Sequence, residues 1–497
     1  MEQEGIELAD HSSQGMKSLG QSWINSEAQE YIPLDGKDEI TYKQAVKIYV
    51  KLALPSAIGM MIRRVPDMIN YIVAGHLGDP AFVSAIGLSL LTNSVLILSI
   101  GNGLAGGLET LSAHAFGSGN NYIAGQYYCK AQVMLTILFI PQAILLLYAS
   151  DILLAVGQPV RSAQFAGQYL TTCIVGIWCH AQTECLRRFL GTQGVFHIVM
   201  NSQLVNSAFH SLWIFLFVYV FDLSFQGIAL ASCLTYILNF VVPIVWIRFN
   251  KSSVKEGSWQ PISKQSFQEL GEYLRYGIPT FIMLACELWS FEILGIMAGL
   301  CGEEDLAAFV TAMNVIIFLY MAALGFQMGT NACVGNSLGA GKPKTAKVFA
   351  NISVYNSVLL CFLLCGVVLL FRFQISGVLM KEEDLRNKTA KILALLLGLC
   401  VGDYFQGIAQ GNIKAMGYQK YGTVICIIAY WFIQTPITIL LGFTYEYGIE
   451  GISIGSSTGV IFAAVSFLII IYTADFEKIS HEVEERLRNK PTEQKEG

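Results

Sequence analysis

The chain has 497 residues, of which 54% are hydrophobic and only 13% charged, and its mean hydropathy is +0.52. A soluble globular protein carries about 25% charged residues, so the composition excludes a soluble domain and makes the lipid bilayer a partner. The net charge of −5 excludes nucleic acid as a partner.

In chain order, residues 1–43 form a polar tail with no cleavable signal peptide expected in it. Twelve apolar segments follow, roughly 46–74, 81–110, 125–149, 162–185, 195–220, 227–248, 273–299, 306–331, 346–371, 389–413, 418–443 and 449–473. Each is near the roughly 20 residues that a helix needs to cross hydrocarbon. A charged stretch with helical spacing starts at Asp475. The twelve cysteines lack CxxC or metal-ligand spacing, so they read as small hydrophobes, and no metal or cofactor is expected.

Lys and Arg set the expected orientation. The loop at 248–275 holds Arg248, Lys251, Lys255, Lys264 and Arg275, and the loop at 332–347 holds Lys342, Lys344 and Lys347. Arg187, Arg188, Lys414 and Lys420 read as further loop charges on that side. Opposite loops at 75–80, 221–226, 300–305 and 444–448 carry none, although 372–391 carries five. Both termini are therefore expected in the cytoplasm.

The chain repeats itself. Pro55, Ala74, Gly75, Gly78 and Gly227 recur as Pro279, Ala298, Gly299, Gly302 and Gly451, each 224 positions later. Two matched halves entering from one side predict a parallel repeat about an axis along the membrane normal. The expected fold is all-α: twelve transmembrane helices in two six-helix bundles, 44–249 and 273–473, joined by a loop at 250–272 and followed by a tail at 474–497. Such transporters bind substrate near the midplane between the halves. Gly103/Gly107, Gly295/Gly299, Gly335/Gly339 and Gly455/Gly459 have the small-residue spacing of close helix contacts.

The seventh segment carries Glu287 and Glu292 in apolar surroundings. A carboxylate at the centre of a membrane helix costs on the order of 2.5–3.5 kcal/mol, so acids there mark ion or proton paths. Five positions apart, their side chains point about 140° away from each other. Asp403 is a third such acid. In the first segment, Asp67 and Asn70 share a face, and Arg63 is placed i,i+4 to pair with Asp67. Either Arg63 holds the bundle through that pair, or Arg63 and Arg64 grip an anionic substrate. Arg63, Asp67, Asn70, Trp289, Tyr320, Gln327, Tyr404 and Gln406 are candidates to line a substrate cavity.

Five stretches together resemble the multidrug and toxic compound extrusion family in its eukaryotic, plant-like branch. They are VAGHLG at 73–78, LETLSAHAFGSG at 108–119, CELWSFEI at 286–293, CVGNSLGAGKPK at 333–344 and DYFQGIAQGNIKAMGYQ at 403–419. In this order, over residues 45–470, they are a specific signature. The resemblance implies export of small organic solutes by a monomer through alternating access, coupled to inward movement of protons or, less so, sodium. It also implies that Glu287, Glu292 and Asp403 are the cation site, in a plasma membrane or an internal acidic one. Two departures stand out. Lys414 replaces the arginine of the helix 10 pattern, and Asn70 stands where the bacterial branch has an aspartate. A lipid-linked oligosaccharide flippase is the alternative transporter; a polytopic transferase is disfavoured because the histidines match no catalytic pattern.

Overall fold

The structure, a computed structural model, describes residues 40–380, 382–488 and 490. Residues 1–39 of the expected N-terminal tail and most of 489–497 lie outside the described residues. What is described is all-helical. In chain order the N-terminal bundle comprises α1 (Tyr42–His76), α2 (Ala81–Gly117), α3 (Asn121–Leu147), α4 (Val160–Thr172 continued by Ile174–Thr192), α5 (Phe196–Val220) and α6 (Ser224–Phe249). The C-terminal bundle comprises α7 (Leu270–Cys301), α8 (Glu304–Gly339), α9 (Pro343–Leu379), α10 (Glu383–Leu395 continued by Leu397–Ala415), α11 (Gln419–Thr444) and α12 (Gly448–Thr473). A last helix, α13 (Phe476–Arg488), follows.

Ten of these are each long and apolar enough to cross a membrane, and α10 becomes an eleventh as a pair bent by 43°. The twelfth, α4, is as long but more polar: its second half holds His180, Gln182, Glu184, Arg187 and Arg188, all buried. This overturns their reading as loop charges. Arg187 and Arg188 lie inside α4 and Lys414 inside α10, each buried in protein. The anomalous 372–391 segment also finds an explanation. Lys388 pairs with Asp305 at 2.5 Å and Lys391 with Glu450, so these charges are neutralised by the starts of α8 and α12.

Local chemistry shapes the elements that carry the site. Pro66 has no N–H to offer the carbonyl one turn back, and α1 breaks at Arg63 and Arg64 between helical stretches Tyr42–Ile62 and Val65–His76. In α7, Pro279 sits inside the helix; the Pro279 carbonyl accepts from the Thr423 hydroxyl at 2.8 Å, tying α7 to α11.

The two bundles seal against each other at the end where α1 begins and α13 lies. There α2 packs on α7 and α8, and α1 packs on α8. A Cβ built on Gly107 would lie 2.9 Å from the Gly277 nitrogen, and one on Gly325 only 2.2 Å from Ala57 Cα. Backbones this close admit only glycine. Of the predicted small-residue pairs, Gly103/Gly107, Gly335/Gly339 and Gly455/Gly459 sit in such contacts, whereas Gly295 faces open space. At the other end, the second half of α1 and the first half of α2 pack chiefly within their own bundle. The largest apolar core runs through both bundles, and a second one lies wholly within the N-terminal bundle.

Candidate functional site

Glu287 stands midway along α7, 1% exposed. The Tyr320 hydroxyl on α8 donates to its Oε1 at 2.7 Å, and the Gln410 amide on α10 donates to its Oε2 at 3.1 Å. Asp403, Gln406, Gln410 and Lys414 recur at three- and four-residue steps, so they share one face of α10. Gln410 also donates to Gln406 Oε1 at 2.6 Å, and Gln327 donates to the Gly407 carbonyl at 2.8 Å. Lys414 Nζ closes the chain by donating to Gln327 Oε1 at 3.1 Å.

Asp403 is buried within electrostatic reach of Glu287, and its Oδ1 has no hydrogen-bond partner. Two carboxyls with one unsatisfied oxygen between helices form an arrangement that can hold a proton or a small cation. Glu292 stands apart. It is half-buried on another face of α7 and pairs with no other described residue. The structure thus brings Glu287 and Asp403 together and leaves the third acid outside.

A cavity of about 60 Å³ lies between the bundles beside Glu287. That is room for a handful of waters, at roughly 10–15 Å³ each, and far below the roughly 300–1,000 Å³ of a drug-sized site. The C-terminal bundle contributes Glu287, Tyr320, Gln327, Gln410 and Lys414 to its wall, and the N-terminal bundle contributes Met60, Arg63, Asn102, Glu184 and Arg188. Of the other predicted lining residues, Tyr404 and Gln406 are buried behind this wall, and Trp289 is 40% exposed outside it.

The N-terminal wall holds charges that sequence reasoning passed over. Glu184 is bridged by Arg187 one turn on, and Arg63 approaches its other oxygen at 3.6 Å. Glu109, on α2, meets Arg188 at 2.6 Å and Lys414 at 3.9 Å. The second contact crosses between bundles, so the lysine that replaces the family's arginine takes part in a buried charge network. The expected Arg63–Asp67 pair is replaced: Asp67 pairs with Arg64 at 3.7 Å. The i,i+4 rule assumes a continuous helix, and the break at these two arginines cancels it. A cue was available in Glu184-x-x-Arg187, an i,i+3 opposite-charge pair within an apolar stretch.

Asn70 lies elsewhere, in a neutral polar knot of the N-terminal bundle. It donates to Ser232 Oγ at 2.9 Å, and its Oδ1 faces His210 Nε2 at 3.0 Å.

The MatE family model matches residues 55–221 and 279–440, one match in each bundle at the same 224-residue offset as the internal repeat. Multidrug and toxin extrusion protein 1 of Danio rerio is 27% identical over 443 residues, covering 89% of this chain and 75% of its own length. Protein DETOXIFICATION 14 of Arabidopsis thaliana is 29% identical over 437 residues, covering 87% of this chain and 89% of its own. The crystal structure of the eukaryotic MATE transporter AtDTX14 superposes with a TM-score of 0.84 at 26% identity, over 90% of this chain and 99% of that one. Two matched bundles, a polar site between them and these likenesses lead to one conclusion: the chain is a multi-pass membrane protein of the MatE family of multidrug and toxin extrusion transporters.

Proposed function

We propose that this protein exports small organic solutes by exchange for protons, with Glu287 and Asp403 as the proton-binding pair. The observation that carries the reading is the buried pair itself: Glu287 lines the cavity where α7, α8 and α10 meet, and Asp403 is buried on α10, off the cavity wall and within its electrostatic reach. A proton held on the pair lets Glu287 and Asp403 sit together at low cost. An organic cation entering beside Glu287 favours the ionised form and expels the proton. Because proton and solute compete for one charge, each passage of the site carries one or the other.

Both termini are read as cytosolic, which makes the sealed end the cytosolic gate and the described conformation one closed to the cytosol. The basic loop at 248–275 supports this orientation. The chemistry requires no cofactor and no covalent step. The reading is tested by loading vesicles that contain the protein with a fluorescent organic cation and imposing a pH gradient. Efflux should follow the gradient in the parent and stop in Asp403→Asn. Efflux at the parental rate in that variant would contradict the assignment.

A further inference from the structure

Four cations and two carboxylates make up the buried network beside the cavity, all from the N-terminal bundle except Lys414. Glu184 is shared by Arg187 and Arg63, and Glu109 by Arg188 and Lys414. Each carboxylate has one close partner and one distant one. The distant cations, Arg63 and Lys414, both line the cavity. Two positive charges are thus left over at the cavity: Arg63 on the wall opposite Glu287, and Lys414 on Glu287's own bundle.

Arg63 is the less satisfied of the two. A guanidinium has five donors in a rigid fork. Its Nε has no hydrogen-bond partner, and its other contacts are weak: His180 Nε2 at 3.5 Å, Met321 Sδ at 3.9 Å and Glu184 Oε1 at 3.6 Å. The side chain is only 14% exposed. A nearly buried guanidinium with poor partners is costly unless something else supplies acceptors. The break in α1 places Arg63 on the cavity wall. Arg188 sits on the same wall, and its Nε also has no hydrogen-bond partner.

We propose that, in a state of the site opened wider than the described one, Arg63 grips the anionic group of a zwitterionic organic solute, a carboxylate or sulfonate, whose cationic group lies beside Glu287. The inference rests on the exporter reading and adds to it the substrate class. A simple anion would not serve an exchanger here. It is held best when Glu287 carries its proton, so anion and proton would load together and move the same way. A solute with both charges meets the leftover cations at one end and still displaces the proton at the other.

Rhodamine B, a zwitterion at neutral pH, and its ethyl ester, a cation of nearly the same shape, provide the test. Binding of each to the purified full-length protein is read by fluorescence anisotropy, and release from vesicles under a pH gradient is read separately. The parent should bind the zwitterion roughly tenfold more tightly than the ester, the scale of one charge-assisted contact. Arg63→Gln should erase that preference by weakening the zwitterion, and Arg63→Lys should fall between them. Glu184 keeps Arg187 in both variants, and a melting curve on the same sample checks the fold. If Arg63→Gln fails that check, the preference is read from Arg63→Lys. Equal affinity for the two dyes in the parent, equal weakening of both in the variants, or no binding of either overturns the proposal. Binding with the expected preference but no gradient-driven release would leave the grip standing and overturn the exporter reading instead.

Discussion

Tyr320 is the simplest probe of the acidic pair, because its hydroxyl serves Glu287 directly at 2.7 Å. Tyr320→Phe keeps the ring and removes a hydrogen bond to a carboxyl group, so gradient-driven efflux should fall roughly tenfold while protein yield holds. Removing a whole charge from the network is more severe. Arg188→Ala leaves Glu109 with only the distant Lys414, and an uncompensated buried carboxylate costs about 3–5 kcal/mol. Yield in the membrane should drop, and adding Glu109→Gln should restore it. Yield that stays low in the double variant would mean that Arg188 acts through packing.

Glu287 and Asp403 were legible in the sequence because an acid in an apolar run has few structural explanations. Glu109 and Glu184 stand near the last positions of their apolar segments rather than inside them, and with their arginines they were passed over despite the Glu184-x-x-Arg187 spacing. Basic residues near the end of an apolar segment look like loop charges until the partner that buries them is known, and that partner comes from another helix.

At the scale of elements, the sealed end depends on backbones in contact. Gly325→Val would drive its side chain into α1 at Ala57, wedging α1 from α8. The variant should lose the sealed state, detected as faster maleimide labelling of cysteines introduced along the cavity from the side where α13 lies. Unchanged labelling would show that the contact does not gate.

Helix α13 lies across the same seal. Arg486 donates to the Tyr276 hydroxyl at 2.6 Å and to His114 Nδ1 at 2.7 Å, and His114 Nε2 contacts the Ala415 carbonyl at 2.7 Å. The helix thereby touches α2 and α7 directly and reaches α10 through His114. Lys490 adds contacts to Glu269 at 2.9 Å and Glu272 at 2.8 Å. That hydrogen bond holds the Glu269 carboxyl below the usual range. A depressed acid stabilises above its ordinary pKa of about 4.3 and loses the effect as pH falls through its folded value. Glu269 is largely exposed, so screening limits this contribution. Hydrogen exchange in α13 should quicken only below about pH 4.3, and in high salt. Protection that is independent of both would show that the Lys490–Glu269 contact contributes nothing to its docking. The charged stretch with helical spacing after Asp475 foretold a helix; its landing site depended on His114 and Tyr276, which nothing in their local sequence marks.

For the whole molecule, the twelve-helix plan was readable from hydropathy and the 224-residue repeat, because both follow from one duplicated unit facing lipid. The arrangement of bundles was not, since sealing one end and parting the other depends on contacts between helices far apart in the chain. The central claim is that solute and proton compete for Glu287 and Asp403. The most direct test is to add an organic cation to the purified protein in weakly buffered detergent solution and follow the pH. Binding should release protons from the parent, and the double variant Glu287→Gln with Asp403→Asn should bind without release. Proton release that persists in that variant, or solute binding to the parent without any release, would contradict the account.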